Sequence, residues 1–166
     1  MRGIGIRRYS PALVDFGALY IGSMTSAVSF LLENSVMQYS ANLGIEFDSN
    51  GGIIRHCTIE RCGQLGIALH GDDILCEYNL VKENMFSRYN YGPNGGGIEG
   101  VRTWNCTARY NQFISTYGHS LWFDTSCYMC NIYGNDFIGG YGHGISYECS
   151  AKAYIVDNYF KDIGIN

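Results

Sequence analysis

The sequence predicts an all-β fold: a parallel β-helix of about six to seven rungs, with three short strands in each. Three observations predict it. The first is an internal repeat within residues 110–148. Asn111-Gln-Phe113 returns as Asn135-Asp-Phe137, Tyr117-Gly-His119 as Tyr141-Gly-His143, and Leu121-Trp-Phe-Asp124 as Ile145-Ser-Tyr-Glu148, each 24 residues on. A unit this short cannot bury its apolar side chains alone, so its copies must stack. The second is a pair of apolar columns. One runs Leu19, Ile45, Ile67, Ile98, Leu121, Ile145 and Ile165; the other runs Val36, Ile59, Leu80, Phe113, Phe137 and Phe160. The third is composition. Twenty-two Gly and 2 Pro, with 14 Tyr and 8 Phe, suit brief strands joined by tight turns. No stretch keeps apolar residues at helical spacing for more than a turn.

The elements follow in order. Residues 2–9 already read as repeat sequence. Short apolar stretches at Phe30-Leu-Leu32, Ile53-Ile54, Ile74-Leu75 and Tyr154-Ile155, with Met129, give each unit a third strand. Two residues before each member of the second column stand Asn34, Cys57, Tyr78, Asn111, Asn135 and Asn158. An Asn at a rung corner tolerates the left-handed region and can bond the next rung, which forms a ladder along the axis. A leucine-rich repeat has a similar period but needs far more Leu in a different order; a β-sandwich is the remaining alternative. One rung is longer than the rest, and its extra residues fall within 83–96, a loop carrying Arg88, Tyr89 and Tyr91. Solenoid insertions map to loops, often on the binding face, although a surface insertion is also tolerated without a role. Neither end carries a polar cap. The expectation is one β-helix domain over residues 1–166, a segment of a longer chain or one able to self-associate through its end rungs.

The net charge of −4 offers no basic face for nucleic acid and no attraction to anionic lipid. No apolar run approaches the ~20 residues of a membrane span, and no leader with an apolar core is visible at the start. Seven Cys are present. Cys127-Tyr-Met-Cys130 is a lone CxxC with no second pair to complete a metal site, so no metal and no cofactor are expected. Cys57 and Cys62 stand where other repeats carry Asn, Ser or Gly. They read as small inward packing residues, a usage that fits a reducing compartment.

The outward face carries the chemistry. Alternate residues of a strand face out. If Leu121 and Phe123 point in, Trp122 and Asp124 point out, and the same register turns Glu46, Asp48, His70, Glu99 and Glu148 outward. Asp48, His70, Asp124 and Glu148 form one column; Glu46, Glu99 and Trp122 form its neighbour. Asp124 and Glu148 then sit one rung apart, with backbones roughly 4.8 Å from each other. Two carboxylates at such a distance can act as the acid and the base or nucleophile of a glycosidase, and they are the candidate catalytic pair. Trp122 could supply a flat face for a sugar ring, or lie partly buried beneath the inserted loop. Glu99, Asp48 and His70 would be supporting contacts, and Tyr89 and Tyr91 a wall. His119 and His143 read as turn residues stacked along the axis. Against these roles stands the plain reading of an acidic, solvated surface.

The motifs Arg2-Gly-Ile-Gly5 with Arg7-Arg-Tyr9, Ser120-Leu-Trp-Phe-Asp124, and Gly142-His-Gly-Ile-Ser-Tyr-Glu148 with Ser150 resemble a branch of the right-handed parallel β-helix repeat proteins of the pectate-lyase-like superfamily. The resemblance covers nearly the whole chain. It implies a longer, exported or surface protein associated with a polysaccharide or oligosaccharide. The calcium-binding Asp cluster and the catalytic Arg or Lys of the lyases are not evident. Two functions remain: a carbohydrate-binding or carbohydrate-processing β-helix, or a non-catalytic structural or adhesion module of a fibre, tailspike or surface protein.

Overall fold

The computed structural model describes residues 1–10, 17–22, 29–88, 90 and 94–164. These form a parallel β-solenoid of about six turns, with three strands in each rung and three parallel sheets along the axis. The first sheet is built from Gly5–Arg7, Val36–Gln38, Thr58–Glu60, Leu80–Lys82, Gln112–Ile114, Asp136–Gly140 and Tyr159–Ile163. The second holds the longer strands Gly17–Gly22, Leu43–Asp48, Leu65–His70, Gly96–Val101, His119–Asp124 and Ile145–Glu148. The third holds Leu31–Glu33, Ile53–Arg55, Leu75–Glu77, Thr107–Arg109, Asn131–Tyr133 and Tyr154–Val156.

The first apolar column stacks as the repeat requires: Leu19, Ile45, Ile67, Ile98, Leu121 and Ile145 are register partners on successive rungs. Ile165 lies outside the described residues. The second column corrects the sequence reading by one residue in two rungs. The inward series is Met37, Ile59, Val81, Phe113, Phe137 and Phe160, buried as far as Phe137 and half exposed at Phe160, while Val36 faces solvent and Leu80 pairs with Gln112 beside it. Phe113, Phe137 and Phe160 stack with ring centroids 4.8 and 4.9 Å apart. Ring spacing and rung spacing coincide, so one apolar residue type can repeat without strain.

The corner ladder shifts in the same way. Its members are Asn79, Asn111, Asn135 and Asn158, not Asn34 or Tyr78. Each Asn Oδ1 accepts the backbone N–H of its counterpart one rung earlier, and each Nδ2 donates to a carbonyl of the third sheet (Ile54, Cys76, Ala108 and Ile132). Cys57 occupies the same place, and its N–H is capped by Asn79. The left-handed residue is the one before, at Asn34, His56, Tyr78, Tyr110, Gly134 and Asp157. The corner therefore separates two demands: one residue accepts positive φ, and the next supplies an inward amide. A second corner repeats the device once, where Asn84 caps Cys62 and donates to the Ile59 carbonyl. Cys62 is buried, and desolvation pushes its thiol up to about 12.

The second sheet departs from strict alternation. Leu43 and Leu65 cluster with Ala68 outside the main core. A Cβ at Gly44 would meet Cys62 Sγ at 2.8 Å, and one at Gly97 would meet Val81 Cγ1 at 3.1 Å, so both positions face inward. Gly44 and Ile45 thus both point in, while Leu43 and Glu46 both point out. Glycine fills this position at 44, 66 and 97, where the next rung's carbonyl lies within 2.6 Å of a Cβ, and the buried Ser120 takes it one rung later. The insertion expected within 83–96 connects Lys82 to Gly96, against residues 61–64 in the rung before.

Asn135 carries the most connections in the ladder. Truncating Asn135→Ala strands the Asn111 N–H and the Ala108 carbonyl inside the coil. Loss of about 2–4 kcal/mol is expected, read as a lower urea midpoint with an unchanged slope.

Candidate functional site

The outer face of the second sheet carries three columns. The first is Leu43, Leu65, Gly96 and His119. The second is Tyr20, Glu46, Ala68, Glu99, Trp122 and Ser146. The third contains the register pairs Asp48–His70 and Asp124–Glu148. Glu46, Asp48, Glu99, Asp124 and Glu148 thus share one face as the sequence requires, and none of its six strands contains Lys or Arg.

Their access to solvent differs. Asp48, His70 and Asp124 are half-buried, and Glu148 is exposed. Glu99 is 3 % and Trp122 4 % exposed. Burial therefore overturns the reading of Trp122 as an open platform for a sugar ring. The indole lies edge-on to His119, with centroids 5.0 Å apart, and its Nε1 has no hydrogen-bond partner. A small depression of about 90 Å³ lies between Glu46, Ala68, His70 and Glu99, with Asn94 of the insertion on its rim. Tyr89 and Tyr91, expected as a wall, lie outside the described residues.

His119 is the residue that strict alternation missed. It opens its strand rather than sitting in a turn. Its ring stacks on His143 at 4.7 Å, and its Nδ1 accepts the His143 backbone N–H. That bond leaves Nε2 as the protonated nitrogen of a neutral ring. Desolvation holds its pKa below the ordinary value, with a smaller contribution from His143; Glu148 opposes the shift. The Tyr-Gly-His repeat signalled a stacked pair, but only the two inward residues at the start of each long strand turn it onto this face.

Seven thiols are free, and six of them are buried. Cys127 and Cys130 both lie within reach of the Thr103 hydroxyl inside the coil. Among the described residues no group of three His, Cys, Asp or Glu could hold a metal ion.

This architecture matches the family model described as the right handed beta helix region over residues 18–166. The chain belongs to that family. Among solved structures it resembles a double mutant of the periplasmic alginate epimerase AlgG, with a TM-score of 0.71, 13 % identity and 86 % of this chain covered. It also resembles a second mutant of that epimerase, with a TM-score of 0.68, 14 % identity and 96 % of this chain covered. The matches span 36 % and 40 % of those longer chains. At such identities the likeness is one of fold. No curated protein matches the sequence.

A histidine held neutral in the fold makes stability depend on pH. The unfolded state protonates His119 as the pH falls through 6.5, its ordinary value, while the folded state resists until a lower pH. Stability is therefore full above that point and falls on acidification through it. Thermal melts between pH 8 and 5 should show this decline, and His119→Gln should reduce it.

Proposed function

We propose that the chain binds a neutral polysaccharide along the outer face of the second sheet and cleaves it by acid/base chemistry. Asp124 and Glu148 act as the acid and the base or nucleophile, with His70, Asp48 and Glu99 as supporting contacts. The observation that carries this reading is the register pairing of Asp124 with Glu148 on adjacent rungs. Backbones one rung apart are separated by roughly 4.8 Å, near the carboxylate spacing of retaining glycosidases.

Charge favours one substrate class over the other. The solved neighbours are named as alginate epimerases, and alginate is a polymer of uronic acids. Abstracting the proton beside a uronate carboxylate requires that carboxylate to be neutralised by a cation or donors. The strands of this face offer five carboxylates and no Lys or Arg. Such a face repels a polyanion, so hydrolysis of a neutral glycan fits it better than epimerisation or elimination on a uronate.

A second reading, a non-catalytic spacer or adhesion module, draws on the small depression. At about 90 Å³ it is well below the ~300–1,000 Å³ of sites that enclose a small ligand.

One assay separates the two. Purified protein is offered a panel of neutral and uronate polysaccharides, and reducing ends and ultraviolet absorbance are followed. Hydrolysis releases reducing ends without absorbance from an unsaturated product. Asp124→Asn and Glu148→Gln should each lower release by about 10²-fold or more, with melting temperature unchanged. Equal release from both variants and the parent removes the catalytic assignment.

A further inference from the structure

We infer that the protein carries a second saccharide site, distinct from the outer face of the long strands. It is a groove of about 650 Å³ at the corner between the first and second sheets, lined by Tyr39, Arg61, Glu83, Phe86, Tyr117 and Tyr141 among others. Its volume lies within the ~300–1,000 Å³ range of small-molecule sites and far exceeds that of the depression beside Glu99.

The groove has the two surfaces a sugar ring needs. One is aromatic. Tyr117 and Tyr141 stack with centroids 4.7 Å apart and planes 5° off parallel. Arg88 lies over the Tyr117 ring at 4.5 Å and donates to its hydroxyl, so the Tyr117 faces are occupied and its position is held. Tyr141 keeps 47 % of its surface exposed, and Phe86 keeps 45 %. Exposed rings of this size, brought together by an insertion and two successive rungs, offer flat apolar surface to the C–H face of a pyranose.

The other surface is polar and fixed. Arg61 donates to the Glu83 carboxylate and to the Tyr39 hydroxyl. This pairing raises the guanidinium pKa, through Glu83 first and Tyr39 second, and the Arg61 bond holds the Glu83 carboxyl below its ordinary value. Both groups stay charged over the whole neutral range, in one geometry. A guanidinium fork beside a carboxylate presents donors and acceptors to neighbouring hydroxyls, the usual requirement for a sugar edge. Asp162 adds a second carboxylate to the lining. Arg61 and Arg88 stand against Glu83 and Asp162 around the groove, so no strong excess of one sign builds up, and an uncharged sugar suits it.

The insertion borders both sites. Glu83 and Phe86 line the corner groove, and Asn94 lines the depression on the long-strand face. The corner site does not depend on the Asp124–Glu148 assignment, because it shares no residue with it.

The test is solution NMR of the whole chain, titrated with hexasaccharides of glucose, xylose, mannose and N-acetylglucosamine, and with hexagalacturonate as the anionic probe. At least one neutral probe should shift the ring resonances of Phe86, Tyr117 and Tyr141. Tyr141→Ala and Phe86→Ala should each weaken that binding by roughly tenfold, while Tyr141→Phe retains it. Asp124→Asn should leave it unchanged. Circular dichroism of each variant checks the fold; Phe86→Ala removes an exposed ring and carries the test if Tyr141→Ala does not fold. Ring shifts absent with every neutral probe overturn the proposal. So do shifts confined to the long-strand face, which leave the function proposed above standing, and so does preference for the hexagalacturonate.

Discussion

Every feature of this molecule depends on parallel pairing between one rung and the next in a single register. That pairing puts residues some two dozen positions apart at a backbone spacing of roughly 4.8 Å, and it does so on three sheets at once. Like residues therefore stack on like. Phe113 and Phe137 stack in the core and Phe160 continues the pile to the last rung, the Asn79–Asn111–Asn135–Asn158 ladder closes a corner, and Tyr117 lies on Tyr141 outside. A slip of one residue would turn the side chains of a strand to the opposite face. Buried amides are hard to reconcile with such a slip, because each has donor and acceptor partners only at this register. The salt bridges agree with it. Glu33, Arg55, Glu77 and Arg109 occupy one position of the third sheet on successive rungs, with Glu33 bonded to Arg2 and Arg55, and Glu77 to Arg109. Alternating signs favour the pairing that repeated carboxylates would oppose.

Much of this was legible in the sequence. The 24-residue echo gave the period, and the column from Leu19 to Ile145 was correct at every described rung. What misled was the corner. Asn34 and Tyr78 occupy the left-handed position, one residue before the ladder, and in those rungs the apolar residues Val36 and Leu80 lie next to the true core positions Met37 and Val81. Where two adjacent residues are both apolar, a repeat alone cannot say which turns inward. The early rungs also lack the Asn that would have fixed the alignment, since Ser35 and Cys57 stand in its place.

The outer face was legible as a pattern but not as a surface. Alternation correctly turned Glu46, Asp48, His70, Glu99, Trp122, Asp124 and Glu148 outward. It could not show that Trp122 and Glu99 are covered, because covering depends on neighbours that alternation does not record, such as His119 against Trp122. Nor could it bring His119 onto this face, since that needs Ser120 to turn inward beside Leu121, as Gly97 does beside Ile98 one rung earlier. The corner groove was less legible still. Its walls come from six consecutive rungs and from a loop, and no short motif records such a gathering. The two proposed sites differ in kind as a result: one is a carboxylate strip written along the strands, the other a hollow made where strands stop.

The uneven ladder has a mechanical consequence. From Asn79 onward each turn is tied to the next by an amide that bonds in both directions along the coil. Before it, a hydroxyl at Ser35 and a thiol at Cys57 fill the same place with fewer or weaker bonds. Breathing motions should therefore cost less in the earlier turns than in the later ones. The coil behaves as a spring with one stiff half and one soft half, and the boundary falls close to the insertion that separates the two proposed sites.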